Sequence, residues 1–225
     1  MKGVVTGDWG LGRNAMIIVA ALACGACGSL LETELPASTS YVLAPAPASS
    51  AGVARSEADL SIGRPDLAPG LDTDRIAVLK GRQLDYYRAA QWGGRTAEVV
   101  QTLLVDSFED QQLFRSVTPE QSRVASEYVL DITVRDFQAE YASDNDAPTA
   151  HVTILGRLIR VTDRQLVDTF AATAQSKASD NRMTAVAAAF ETAAHKVVLE
   201  LAQKTAASIA ADADKLRAAA GKESG

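Results

Sequence analysis

The chain has 225 residues, 47% hydrophobic and 5% aromatic, with a formal charge of −6. That length suits one domain of ordinary size with an N-terminal leader. The acidic balance excludes a phosphate-neutralising surface, and the scarcity of aromatics excludes a base-stacking platform, so nucleic acid is not an expected partner.

The leader is the first element. Ala15-Met16-Ile17-Ile18-Val19-Ala20-Ala21-Leu22-Ala23 is an apolar run, with Arg13 and Lys2 ahead of it. It has the size of a secretory signal core and is too short to span a bilayer. Two cysteines follow, Cys24 and Cys27, and the chain has no others. Small residues before a cysteine suit a lipoprotein processing site, and a lipidated cysteine anchors stably once it carries more than one acyl chain. Ala21-Leu22-Ala23 favours Cys24 as the acylated residue. Cys27 is the alternative, because it opens a Cys-Gly-Ser start. Residues 1–23 are therefore expected to be a signal peptide. The residues after them hold 20 basic and 27 acidic side chains.

Residues 24–58 read as an Ala/Pro/Ser-rich tether, too poor in large apolar groups to order itself. Tyr41-Val42-Leu43 breaks it and is a possible docking strand. The folded domain is expected over 59–209. Leu60-Ser61-Ile62 and Arg75-Ile76-Ala77-Val78-Leu79 read as short strands. Gly81-Arg82 turns the chain into Gln83-Leu84-Asp85-Tyr86-Tyr87. After Gly93-Gly94, the spacing of Val100, Leu103, Leu104 and Phe108 predicts a helix over about 96–112. Leu113–Val117 reads as another short strand. Tyr128, Leu130, Ile132 and Val134 alternate, and Phe137, Ala139 and Tyr141 continue in the opposite phase. That slip predicts a bulge at Arg135-Asp136. Ala150–Val161 and Leu166–Ser176 complete an antiparallel meander around the turn Thr162–Gln165. A long helix follows Asp180, with its apolar stripe running from Met183 through Phe190, Val197 and Leu201 to Thr205. Alanine and charge alone predict a frayed tail over 210–225. The expected class is α+β: an antiparallel sheet with two helices packed on one face, the C-terminal one long.

The sequence offers no catalytic constellation. His151 and His195 stand apart from other metal-ligating residues, and both read as packing or surface groups. Asp144-Asn145-Asp146 lacks the glycine and distal glutamate of a calcium loop and reads as a turn. Gly93-Gly94 lacks the lysine of a phosphate loop. Ser29, Ser176 and Ser179 have no nucleophile-elbow context. No enzyme, cofactor or metal is expected. Trp92 with Tyr86, Tyr87 and the first helix could line a partner or lipid groove, or could simply be core.

The order of these motifs resembles the ABC-type transport auxiliary lipoproteins. The likeness rests on the lipobox, Tyr41-Val42-Leu43, Arg75-Ile76-Ala77-Val78, Leu84-Asp85-Tyr86-Tyr87, Gln91-Trp92 and Tyr128-Val129-Leu130-Asp131-Ile132. It spans about residues 41–207. Gly93-Gly94-Arg95 departs from it, since an acidic polar residue is more usual there. The resemblance implies a non-enzymatic accessory subunit of a transporter that pairs an ABC ATPase and permease with an MCE-domain protein. Such systems move phospholipid or other hydrophobic substrates between membranes. It further implies a palmitate-bearing lipid anchor on the periplasmic side of the envelope and protein–protein contacts, with homo-oligomer formation possible. Glycine after either cysteine, where aspartate would retain the chain in the inner membrane, implies the outer membrane. The rival readings are an envelope lipoprotein that scaffolds or activates a cell-wall enzyme, and a direct lipid carrier.

Overall fold

The structure, a computed structural model, describes Gly3 and residues 38–48, 55–143 and 146–223. The signal segment, Cys24, Cys27, Ser29 and Asp144-Asn145 lie outside the described residues. The elements are β1 (Thr39–Tyr41), β2 (Asp59–Ile62), β3 (Asp66–Leu67), β4 (Arg75–Lys80), β5 (Gln83–Trp92), α1 (Thr96–Asp110), β6 (Ser116–Pro119), a 3₁₀ turn (Glu120–Ser122), β7 (Tyr128–Glu140), β8 (Thr149–Arg160), β9 (Gln165–Lys177) and α2 (Met183–Glu223).

β7 is the spine of the sheet. Along one edge it pairs antiparallel with β8, from Tyr128 opposite Arg160 to Glu140 opposite Thr149, and β9 continues the meander. Its other edge is shared in turn by β2, β3 and β4, all parallel to it. The chain thus walks along β7 in three short steps before β5 turns back on β4. β6 extends β2 and β1 extends β5, both in parallel. The α+β class, the two helices on one face and the long C-terminal helix are as expected. The sheet itself is mixed, since the parallel steps join the antiparallel meander.

The sequence pattern explains which face is buried. Tyr128, Leu130, Ile132 and Val134 face the helices. The register shifts between Val134 and Asp136, so Phe137 and Ala139 take over the same face. One extra residue at Arg135-Asp136 therefore keeps every large apolar side chain inward. β8 alternates without interruption, burying Ala150, Val152, Ile154 and Leu158. Gly156 stands among them because a β-carbon there would come within 2.9 Å of the Phe170 ring and 3.1 Å of Leu130.

Two features depart from expectation. The docking strand expected at 41–43 within the tether is present as β1, two residues earlier, and the arm stays docked beyond it. β1 pairs with Ala90–Trp92, and the next residues cross both helices. The Ala44 N–H donates to Glu191, the buried Ala46 N–H donates to Ser107 Oγ at 2.9 Å, and Gln111 donates to the Pro47 carbonyl. Side chains on or next to α1 and α2 supply the hydrogen bonds, and burial of Ala46 adds packing. The second departure is the tail. α2 does not fray after Ile209 but continues to Glu223. Alanine has the highest helix propensity, and Asp212 fastens this section to the sheet.

Candidate functional site

The direction of β7 defines two ends of the domain. The distal end holds Tyr128, Arg160 and the β8–β9 turn; the proximal end holds Glu140 and Thr149. α2 runs antiparallel to β9, since Ser208 meets Asp168 and Lys204 meets the Ala171 carbonyl. Its C-terminal turns therefore reach the distal end. β1 runs parallel to β5, and so toward the distal end, which places Ser38 on the proximal side.

A cleft of about 560 Å³ opens at the distal end. Four separated segments build it. Arg55–Ala58 form one wall, Glu127 and Tyr128 the start of β7, Arg160 and Thr162 the end of β8, and α2 the opposite wall. From α2 come Ala206, Ile209, Ala210, Ala213, Leu216 and Arg217, spaced three or four residues apart along one stripe. Further up the helix Phe190, Val197, Val198 and Leu201 fill the core. In the cleft three of the six lining residues from α2 are alanine, so space is left between helix and sheet.

The floor of the cleft is an ion network. Arg160 donates through Nη1 to both carboxylate oxygens of Asp212, at 2.8 and 2.7 Å. Its Nε and Nη2 donate to Asp163, and Nη2 also to Gln165. The Tyr128 hydroxyl donates to Asp212 at 2.9 Å. Arg160 and Asp212 are both buried, and these charges are tolerated there because every guanidinium N–H donates and both Asp212 oxygens accept. Burial first, and then the bond to Asp212, push the Tyr128 phenol up to about 12. It therefore stays protonated and remains a donor throughout the physiological range. The Asp163 and Asp212 partners hold Arg160 charged.

A second charged cluster supports the same end. Arg115 donates to both oxygens of Asp59 and to Glu127, and the Ser116 hydroxyl donates to Asp59 at 2.7 Å. Hydrogen bonds from Arg115 and then Ser116 hold the Asp59 carboxyl at about 2, below its ordinary 3.8. A depressed carboxylate stabilises the fold above its unfolded pKa, and that stabilisation is lost as pH falls through the folded value. Wild-type stability is thus expected to drop between about pH 4 and pH 2, and Asp59→Asn should flatten the slope in that window. Urea unfolding as a function of pH checks it.

The residues singled out from sequence fall elsewhere. Trp92 is 1% exposed, and its indole meets Phe190 edge-on at 5.2 Å and Phe137 at 5.6 Å. It is a core residue and has no surface to offer a partner. Tyr86 is half-buried under Arg75, which sits 4.2 Å from its ring, and its hydroxyl donates to the Gly70 carbonyl. Tyr87 pairs with the Tyr141 hydroxyl, 3.2 Å away. The three do not line one groove. A shallower recess of about 230 Å³ beside Gly93-Gly94 is lined instead by Val42, Leu43, Glu98, Val99 and Thr102. His195 meets the Ala44 carbonyl at 2.8 Å and His151 lies 3.5 Å from Glu140, so both have structural partners. Among the described residues, no group of three or more His, Cys, Asp or Glu side chains is placed to hold a metal ion.

The model of the ABC-type transport auxiliary lipoprotein component matches residues 41–202. The chain belongs to the ABC-type transport auxiliary lipoprotein family. The match begins at Tyr41, in the arm that docks across the helices, and ends in the core-packing part of α2. The lipoprotein is also similar to the crystal structure of protein XCC0632 from Xanthomonas campestris, assigned to DUF330. Identity is 26%, the TM-score is 0.72, and the alignment covers 79% of this chain and 99% of that one. An uncharacterised protein of known structure shares the fold at 13% identity and a TM-score of 0.56, over 74% of this chain and 99% of that one. No curated protein matches the sequence. The family is a transport auxiliary family and not a class of enzymes. The distal cleft escapes sequence reasoning because its walls come from four segments; the one available signal is the set of alanines at 206, 210 and 213.

Proposed function

We propose that this lipoprotein is an accessory subunit of an MCE-type ABC transport system for phospholipid or other hydrophobic molecules. The match of the family model over residues 41–202 carries the reading. In it, a lipid on Cys24, or on Cys27, holds the chain to the periplasmic face of the outer membrane. The folded domain then binds the MCE-domain protein or the permease through protein–protein contacts and performs no chemistry of its own. The docked arm supports a shorter tether than the sequence implies. From Cys24 to Ser38 is about 14 residues, which reach at most about 50 Å. Ser38 lies on the proximal side, and the cleft lies at the distal end.

The reading is tested by affinity capture of the full acylated chain from solubilised membranes. MCE, permease and ATPase subunits are expected in stoichiometric amounts. Recovery of a cell-wall enzyme instead would transfer the protein to an envelope-scaffolding role. Mass analysis of the mature N-terminal peptide assigns the acylated cysteine, with Cys24 expected.

A further inference from the structure

We propose that the distal cleft is a binding site for a single-chain amphiphile, with its acyl chain along α2 and its anionic head at Arg55 and Arg217. The proposal rests on the transport reading for its biological sense; its physical grounds are in the cleft. The volume of about 560 Å³ is that of a small-ligand site.

The interior of the cleft asks for an apolar occupant. Ala206, Ile209, Ala210 and Ala213 offer a wall without hydrogen-bonding side chains. The polar groups at the floor are already spent. Arg160 is held by Asp212, Asp163 and Gln165, and the Tyr128 hydroxyl by Asp212. No buried side-chain nitrogen or oxygen among the described residues lacks a partner. A polar group driven into this interior would lose its water and find no free partner, whereas a hydrocarbon chain would not. Leu216 extends the apolar wall to the mouth, 46% exposed on an otherwise polar stretch of helix.

The mouth asks for charge. Arg55 has no ion-pair partner among the described residues, and Arg217 pairs only with Asp214 in a solvent-exposed contact. Exposed pairs of that kind are weak and exchange readily for a better anion. Glu127 is engaged by Arg115 and by the Asp59 N–H. Glu57 is left at the rim, where it would accept from a hydroxyl or ammonium on the same head group. The pattern suits a carboxylate or a phosphate monoester or diester on a single chain.

The test is fluorescence titration of the full chain with 11-(dansylamino)undecanoate, followed by displacement with oleate or with lysophosphatidylethanolamine. Saturable binding is expected, weakened at least about tenfold by Ala213→Trp, which fills the slot, and by Leu216→Asp, which charges its mouth. Leu216 is exposed, so its variant keeps the fold even if the tryptophan does not. Arg55→Ala with Arg217→Ala should weaken whichever competitor displaces better, and that competitor identifies the head group as carboxylate or phosphate. Absence of saturable binding overturns the proposal. So does equal binding by wild type and both cleft variants, which would place the probe outside the cleft. Loss of the transport subunits on capture of Leu216→Asp, without amphiphile binding by wild type, would make the cleft a protein seat and also overturn it. Capture of those subunits by wild type with no amphiphile bound removes this proposal alone and leaves the accessory role standing.

Discussion

Replacing Asp212 with alanine is expected to destabilise the domain by about 3–5 kcal/mol, the range for breaking a buried ion pair. The cost is in what remains. Arg160 keeps Asp163 and Gln165 but loses the partner of its buried Nη1, and the Tyr128 hydroxyl loses its acceptor. An unpaired buried donor costs its full desolvation. The effect should also be local. Asp212 is the last buried residue of α2, so amide exchange over the turns around Ile209 should accelerate more than exchange near Phe190. The double change Arg160→Met with Asp212→Leu should recover most of the loss, because an apolar pair of similar volume avoids desolvating charge. Urea unfolding of the single and double variants measures both. A single variant as stable as wild type would mean that the network contributes little to holding α2.

Trp92→Ala is the second large effect, expected at about 3–5 kcal/mol from lost burial and the cavity left behind. The indole joins three elements. Its ring packs on Phe137 of β7 and Phe190 of α2, while its N–H backbone group donates to the Asp74 carbonyl. Tyr41 of the docked arm pairs with it in the sheet. Loss of the ring should therefore loosen the arm as well as the core. Tyr86→Leu provides the contrast: it removes a half-buried ring and one exposed hydrogen bond to Gly70, and should cost about 1 kcal/mol or less. Were Trp92 a partner-groove residue, its replacement would spare thermal stability and weaken only complex formation. Thermal unfolding beside affinity capture separates the two.

These residues show how far the sequence was readable. Strand β7 was legible in full, bulge included, because alternation is a local signal and one inserted residue reverses its phase. The stripe of α2 was legible as far as Thr205 for the same reason. The parallel pairings of β2, β3 and β4 were not, since nothing within Asp59–Ile62 or Asp66–Leu67 specifies that a strand some 70 residues later will receive it. The length of α2 was misjudged because its last fastening, Arg160 to Asp212, is non-local. The arm over Ala44–Pro47 was misjudged because its partners Ser107, Gln111 and Glu191 lie on other elements. Trp92 reads from sequence either as a groove residue or as core, and the structure buries it against Phe137 and Phe190. The cleft shares the same limit: alanines at 206, 210 and 213 look like ordinary helix formers until the sheet end is placed beside them.

Quantitative affinity capture of the full acylated chain tests the central claim most directly. Membranes are solubilised in mild detergent, and the captured subunits are identified and counted by mass spectrometry. The account predicts an MCE-domain protein together with the permease and ATPase of one transport system. Capture that yields none of these, from a chain shown by mass to carry its lipid, would contradict it.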